Sequence, residues 1–218
     1  MKYIYKFFMI SAVLLFSCED ILEKDPIDII DSSAAFQDAD DIEAGTIGVY
    51  ALISGTNYIS ISSRISDDLR LSPENRGQGV QIHDWSYVAT EGETSGSWLN
   101  IYGVNARLNR VLNAIDELVG SGAVTEEEVA RNRAELLTIR AMCHFDLWRL
   151  FSTKYNPEAL GIPYIGLPEG LEVDNLPSRE ATASVFEEIN RDLADAKALM
   201  PTDFTEVTRI NSSAISAL

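Results

Sequence analysis

The chain has 218 residues, 46% of them hydrophobic, and its 34 acidic side chains outnumber 17 basic ones for a net charge of −17. That balance argues against nucleic acid or an anionic lipid surface as a direct partner, because both demand basic patches. The length and apolar content suffice for one cored domain.

The first stretch reads as an export leader, residues 1–17. Lys2 and Lys6 give a short positive start, and Phe7 to Phe16 is an apolar run of about ten residues, too short to span a bilayer. Ser17 then precedes Cys18, which fits the bacterial lipoprotein pattern. Cleavage before Cys18 would leave an N-terminal cysteine whose acyl chains hold the protein at a membrane. Glu19 and Asp20, directly after it, suit a lipoprotein destined for the outer cell surface. Loss of the leader removes Lys2 and Lys6 and takes the charge from −17 to −19. With Cys18 acylated, Cys143 has no intramolecular mate and no disulfide framework exists.

Residues 18–38 read as a tether and lead-in, since Asp25-Pro26 and the polar run at 31–33 oppose regular structure. A first helix is expected from Asp40 or Asp41, carrying Ile42, Ile47, Val49, Tyr50 and Ile53 and stopping near Gly55. The segment "YISISSRI" alternates apolar and polar residues, a short-strand signal. "LSPENRGQG" and "GETSGS" read as loops. Residues 56–96 are therefore expected to be an irregular insert with at most short strands.

Three long amphipathic helices should follow. The first is capped by Ser97 and carries Trp98, Ile101, Leu108, Leu112, Ile115 and Val119, ending at Gly120 and Gly122. The second opens with Thr125 and Glu128 at capping-box spacing. Its stripe of Leu137, Ala141, Phe145 and Trp148, widened by Leu136, Leu147 and Leu150, implies burial on more than one side. The third carries Val185, Ile189, Leu193, Ala196 and Leu199, with Pro201 beyond it. "LGIPYIGLPEG" crosses between the last two in extended form. Asn211 or Ser212 looks like the cap of one more helix, of which the chain holds about one turn; so short a helix has little stability of its own. The fold class is mainly α, with tetratricopeptide-like helical pairs in an α-solenoid arrangement. Residues 39–218 are expected to form a helical domain cut off at its C-terminus.

The order of these motifs resembles the SusD/RagB family of surface nutrient-binding lipoproteins. The resemblance rests on the Cys18 signal and a W-x3-Y-x6-N pattern at Trp98, Tyr102 and Asn109. A helix with Ala134, Glu135, Arg140, Ala141, Phe145, Leu147 and Phe151 follows. An "IPY" crossing at Ile162 to Tyr164 comes next, then a run with Arg179, Val185, Phe186, Ile189, Asp192, Leu193 and Pro201. It covers nearly all of residues 15–218. Asn105 departs from it, standing where the family is usually apolar, and "STKYNPEA" lengthens the link before the crossing. The resemblance implies a SusD-like fold and capture of an oligosaccharide or other nutrient at the outer membrane, without catalysis. It also implies a SusC-like TonB-dependent transporter as partner. Members of the family are about twice this length or more, so it implies the N-terminal portion. A tetratricopeptide-like lipoprotein adaptor that grips another protein, or a non-functional gene fragment, is the alternative.

Candidate ligand contacts lie before the W-x3-Y helix. Asn75, Arg76, Gln78 and Gln81 suit sugar hydroxyls; Trp85 or Tyr58 suits stacking on a pyranose ring. The competing reading is a solvated loop for the four polar residues and a packed aromatic at a strand start for Trp85. Trp98, Tyr102, Asn109, Glu135 and Arg140 read as structural. Cys143-His144 is no nucleophile–base pair, because neighbours on a helix point about 100° apart. No metal or cofactor is called for: His83 and His144 are the only histidines, and no Cys/His spacing matches a zinc site.

Overall fold

The computed structural model describes residues 35–53, 55–66, 68–153, 156–166, 177–204, 206 and 208–218, apart from the side chains of residues 55–58. The expected leader, the acylated Cys18, the tether through residue 34 and the side chain of Tyr58 lie outside them. Helices α1 (Ala39–Leu52), α2 (Gly55–Ile65), α3 (Val80–His83), α4 (Gly92–Ser121), α5 (Glu126–Phe151), α6 (Thr182–Leu199) and α7 (Ser212–Ala217) carry the fold. Among the described residues there is no strand, only an isolated antiparallel bridge between Leu160 and Ala181.

Helix α1 begins where Asp38 accepts the Asp41 N–H at 3.0 Å, with Asp40 and Asp41 in the positive first turn. Ile42, Thr46 and Val49 face inward. Ile47 was expected in that stripe but is 53% exposed. Two positions from Val49 is about 200° around a helix, which turns it to solvent.

Two expectations fail in the next stretch. "YISISSRI" is part of α2. Ile61 and Ile65 are also one helical turn apart, and a helix satisfies its own backbone without a partner strand. "GETSGS" is the first turn and a half of α4, which starts five residues before Ser97. Glu91 caps it, accepting the N–H groups of Glu93 and Thr94 at 3.0 and 2.9 Å, and these bonds hold its carboxyl below the usual range. Ser97 is instead buried within the helix, its hydroxyl donating to the Glu93 carbonyl at 2.8 Å. The "LSPENRGQG" loop forms as expected.

Helix α4 ends at Gly122, whose φ of +76° suits glycine; Gly120 stays inside the helix. Helix α5 opens on the expected capping box: Thr125 Oγ1 accepts the Glu128 N–H at 3.3 Å, and Glu128 accepts the Thr125 N–H at 2.8 Å. Asn211 caps α7, accepting from Ser213 and Ala214 at 3.1 Å.

Helix α5 is the centre of the molecule and packs on α4, α6 and α1. Its wide apolar face serves two clusters. In the first, Leu136 and Ile139 meet Leu108, Leu112 and Ile115 of α4 and Ile42 and Val49 of α1. In the second, Ala141 and Leu147 meet Ile162, Val185 and Ile189, with Trp98, Tyr102, Phe145 and Trp148 packed around them. Each fully buried Leu or Ile contributes about 1.5–3 kcal/mol. The extended segment 160–166 crosses this second cluster, and Ile162 is fully buried.

Candidate functional site

The crossing segment is held by polar side chains from three helices. Arg140 of α5 donates from Nε and Nη2 to the two carboxylate oxygens of Asp192 on α6, at 2.8 and 2.6 Å. Its Nη1 reaches Asn109 of α4 at 3.3 Å. Tyr164 donates to the same Asp192 at 2.5 Å. The Ile165 carbonyl accepts from Asn105 and Asn109, at 3.0 and 3.1 Å. Asn105, the departure from the family pattern, thus has a definite task in this chain. Tyr102 donates to the Pro163 carbonyl at 2.7 Å. A forked, charge-assisted pair fixes direction as well as distance, so Arg140 orients α6 and the crossing together. Burial works against the Arg140 charge, but the hydrogen bonds and charge of the Asp192 carboxylate, with Tyr164, outweigh it and raise the Arg140 pKa.

Cys143 and His144 belong to this framework. Burial pushes the Cys143 thiol up to about 12. His144 is fully buried and stacked on Tyr164 with ring centroids 4.2 Å apart. Its Nδ1 faces the Arg140 carbonyl at 2.8 Å, and its Nε2 accepts the Ile165 N–H at 3.0 Å. Those contacts require the neutral ring with the proton on Nδ1. Burial pulls its pKa down to about 4. A thiol this protonated beside a ring with both nitrogens engaged is packing.

Glu135 is likewise buried, at the other end of the core. Arg209 donates to it at 2.5 Å and also pairs with Glu43 of α1. Burial is the largest influence on Glu135 and raises its carboxyl pKa. Arg131 joins through Glu43 at 2.7 Å.

The residues expected to meet ligand lie elsewhere, on the surface between α2 and α4. Asn75 is committed to its own turn: its amide donates to the Gln78 carbonyl and its oxygen accepts the Gly77 N–H, both at 2.9 Å. Arg76, Gln78 and Gln81 are exposed. Trp85 does not start a strand; it follows α3 and is 68% exposed. Arg76 and Trp85 have φ of +57° and +56°. Side chains pay roughly 1–2 kcal/mol for that conformation, and such strain collects at functional positions. Six of the nine exposed large hydrophobics among the described residues (Ile59, Leu69, Trp85, Tyr87, Val88 and Leu99) fall between 59 and 99.

A cleft of about 330 Å³ opens here, lined by Ser60, Ile61 and Arg64 of α2 and by Glu93, Gly96 and Ser97 of α4. Arg64 and Glu93 form an ion pair across it. The polar turn abuts that pair: a Cβ on Gly79 would come within 2.8 Å of Arg64 Nη1, and the backbone there has φ of +68°. Ser60, Arg64 and Glu93 escaped the reading of the sequence. Seeing them required knowing that "YISISSRI" is helical and that α4 reaches back to Gly92. Among the described residues no group of three or more His, Cys, Asp or Glu is placed to hold a metal ion. No helix among them is long and apolar enough to cross a membrane.

The chain belongs to the SusD-like family, whose model, described as starch-binding associating with outer membrane, matches residues 22–218. Among curated relatives, a SusD-like protein of Formosa agariphila, P25, is 24% identical over 96% of this chain and 40% of its own length. A SusD superfamily protein of Bacteroides vulgatus superposes with a TM-score of 0.70 at 25% identity, covering 84% of this chain and 42% of that one. A SusD-like carbohydrate binding protein of the same organism gives 0.69 at 18% identity, over 83% and 40%. The mainly helical, SusD-like fold is therefore established. The chain spans about two fifths of the length of the curated relatives it matches.

Proposed function

We propose that this chain belongs to a surface lipoprotein that captures an oligosaccharide and hands it to a SusC-like TonB-dependent outer-membrane transporter, performing no chemistry itself. Cys18 carries the acyl anchor and faces the cell exterior with the rest of the chain. The ligand surface runs from the cleft between α2 and α4 to Trp85. The observation that carries this reading is Trp85 itself: a large aromatic ring held out to solvent in a strained backbone conformation. An exposed aromatic face complements the C–H face of a sugar ring. The Arg64–Glu93 pair in the adjoining polar region offers donors and acceptors to hydroxyl groups. The family's starch-binding, outer-membrane description agrees with it.

Calorimetric titration of the full chain with neutral and anionic oligosaccharides tests the reading. Binding without shortening of the sugar is expected, and Trp85→Ala should weaken it at least tenfold while leaving the melting curve in place. Release of shorter sugars, or a Trp85→Ala protein that binds as before, would sink it.

A further inference from the structure

A second concave surface lies on the opposite stretch of α4, against α1. It is a groove of about 240 Å³ with Phe36, Val49 and Val111 as apolar walls, Gly45 and Gly48 on the α1 side, and Arg107 and Arg110 at its rim. Three features set it apart. The first is charge. Seven arginines of the described residues (64, 131, 133, 140, 149, 191 and 209) sit in ion pairs. Arg107 and Arg110 have neither an ion pair nor a hydrogen-bonded partner among the described residues; nor have Arg70 and Arg76, but those two lie on the loop and not on a helix face. Two unpaired guanidinium groups, three positions apart on one helix face, repel each other mildly. Among the described residues they stay unpaired, in a chain with twice as many acids as bases.

The second feature is shape. The Phe36 ring lies across Gly45, where a Cβ would come within 2.7 Å of it, whereas a Cβ on Gly48 would meet nothing within 4 Å. Glycine is a poorer helix former than alanine, and no neighbour in the structure demands it at position 48. What glycine does there is leave the groove open. The third is size. The volume is below the ~300–1,000 Å³ of pockets for drug-sized ligands, and suits a single ring.

We propose that this groove is a subsite for one carboxylate-bearing sugar ring, a uronate residue of the captured glycan. The apolar walls take the C–H face of the pyranose. The fork of Arg107 or Arg110 takes the planar carboxylate in the paired geometry that guanidinium groups favour. The proposal rests on the glycan-binding reading above and narrows it to an acidic polysaccharide.

The test uses the full chain and two probes of equal length, an oligogalacturonate and a neutral malto-oligosaccharide, in calorimetric titrations. The oligogalacturonate should bind at least tenfold more tightly. Arg107→Gln with Arg110→Gln should remove that advantage, and it should fall with rising salt. Gly48→Leu should remove it too, with both arginines intact, because the new side chain fills the groove. Its Cβ points into open space, so unaltered melting is expected and loss of binding is not loss of fold. If the arginine pair matters but Gly48→Leu does not, the charges act at long range and the subsite is overturned. Equal binding of the two probes overturns it as well. If the neutral probe alone binds, and Trp85→Ala abolishes that, the subsite falls and the glycan-binding reading stands. If neither probe binds, both fall.

Discussion

The crossing segment 160–166 and the loop surface around residues 75–91 are both irregular backbone, and they are built in opposite ways. The crossing is over-determined. Its backbone groups at Gly161, Pro163 and Ile165 are each claimed by a side chain from elsewhere in the fold. The loop surface is under-determined. Asn75 bonds only within its own turn, Trp85 stands in solvent, and two residues keep a left-handed backbone without a glycine. The first arrangement gives rigidity, and the second gives a face whose groups are not yet spoken for. The difference separates side chains that hold the fold from side chains the fold leaves free.

The sharpest way to break the contrast is Arg140→Ala. It leaves the Asp192 carboxylate buried without its cation, and removal of one partner of a buried pair costs about 3–5 kcal/mol. Chemical denaturation should show a loss of that size. A loss below about 1 kcal/mol would mean that the crossing is not anchored as described.

The second effect is on pH. His144 has its pKa lowered from 6.5 to about 4, so its contribution to stability is complete above pH 6.5 and is lost as the pH falls through about 4. Over that span it is worth on the order of 3 kcal/mol. Arg140 and Asp192 are the charges that act on it. Glu135 and Asp146, whose carboxyls burial raises, slope the other way: they favour the fold below the ordinary carboxylate range and less so above it. The readout is therefore the difference between wild type and His144→Gln across pH 4 to 6.5. The wild type should lose stability toward acid more steeply. Parallel curves would show that the neutral histidine is not what locks Ile165.

Smaller effects are expected on the loop side, with a change of sign. Arg76→Gly should stabilise the protein by about 1 kcal/mol by relieving its left-handed backbone, less some gain in unfolded-state entropy. A clear destabilisation would contradict that. Trp85→Ala should move stability by no more than about 0.5 kcal/mol, as surface changes do. A larger drop would mean that the ring packs into the fold and is not free for a ligand.

The sequence made α5 and α6 legible because their apolar stripes are long and the Thr125–Glu128 box is unambiguous. It also placed the end of α4 at Gly120 and Gly122, of which only Gly122 takes the left-handed turn. The start of α4 was hidden. Glutamate is an uncommon cap, Gly92 and Gly96 look like loop, and Ser97 is a better cap on paper than Glu91. In α2, the four alternating residues Ile59 to Ser62 match two periods at once, and only the absence of a partner strand among the described residues decides between them. The framework of Arg140, Asn109 and Tyr102 was visible as motif positions, while the identity of its partners was not. Asn105 looked anomalous until the Ile165 carbonyl explained it. The Arg64–Glu93 pair and the Arg107–Arg110 groove are products of packing between elements distant in the chain, which no local pattern encodes.

The Arg209 fork has a kinetic consequence. It ties Glu43 to a residue 166 positions further along the chain, and closing so long a loop is entropically costly and slow compared with pairing neighbours. Helix α4 is joined to α5 by the short turn 122–125, and Arg131 and Asn132 of α5 can already meet the Glu43 carboxylate of α1, but the fork itself is complete only when residue 209 arrives. For a chain made from its N-terminus, α1 is thus fully tied down only after residue 209 has emerged. The early intermediate should be a packed α4–α5–α6 unit with α1 still exchanging.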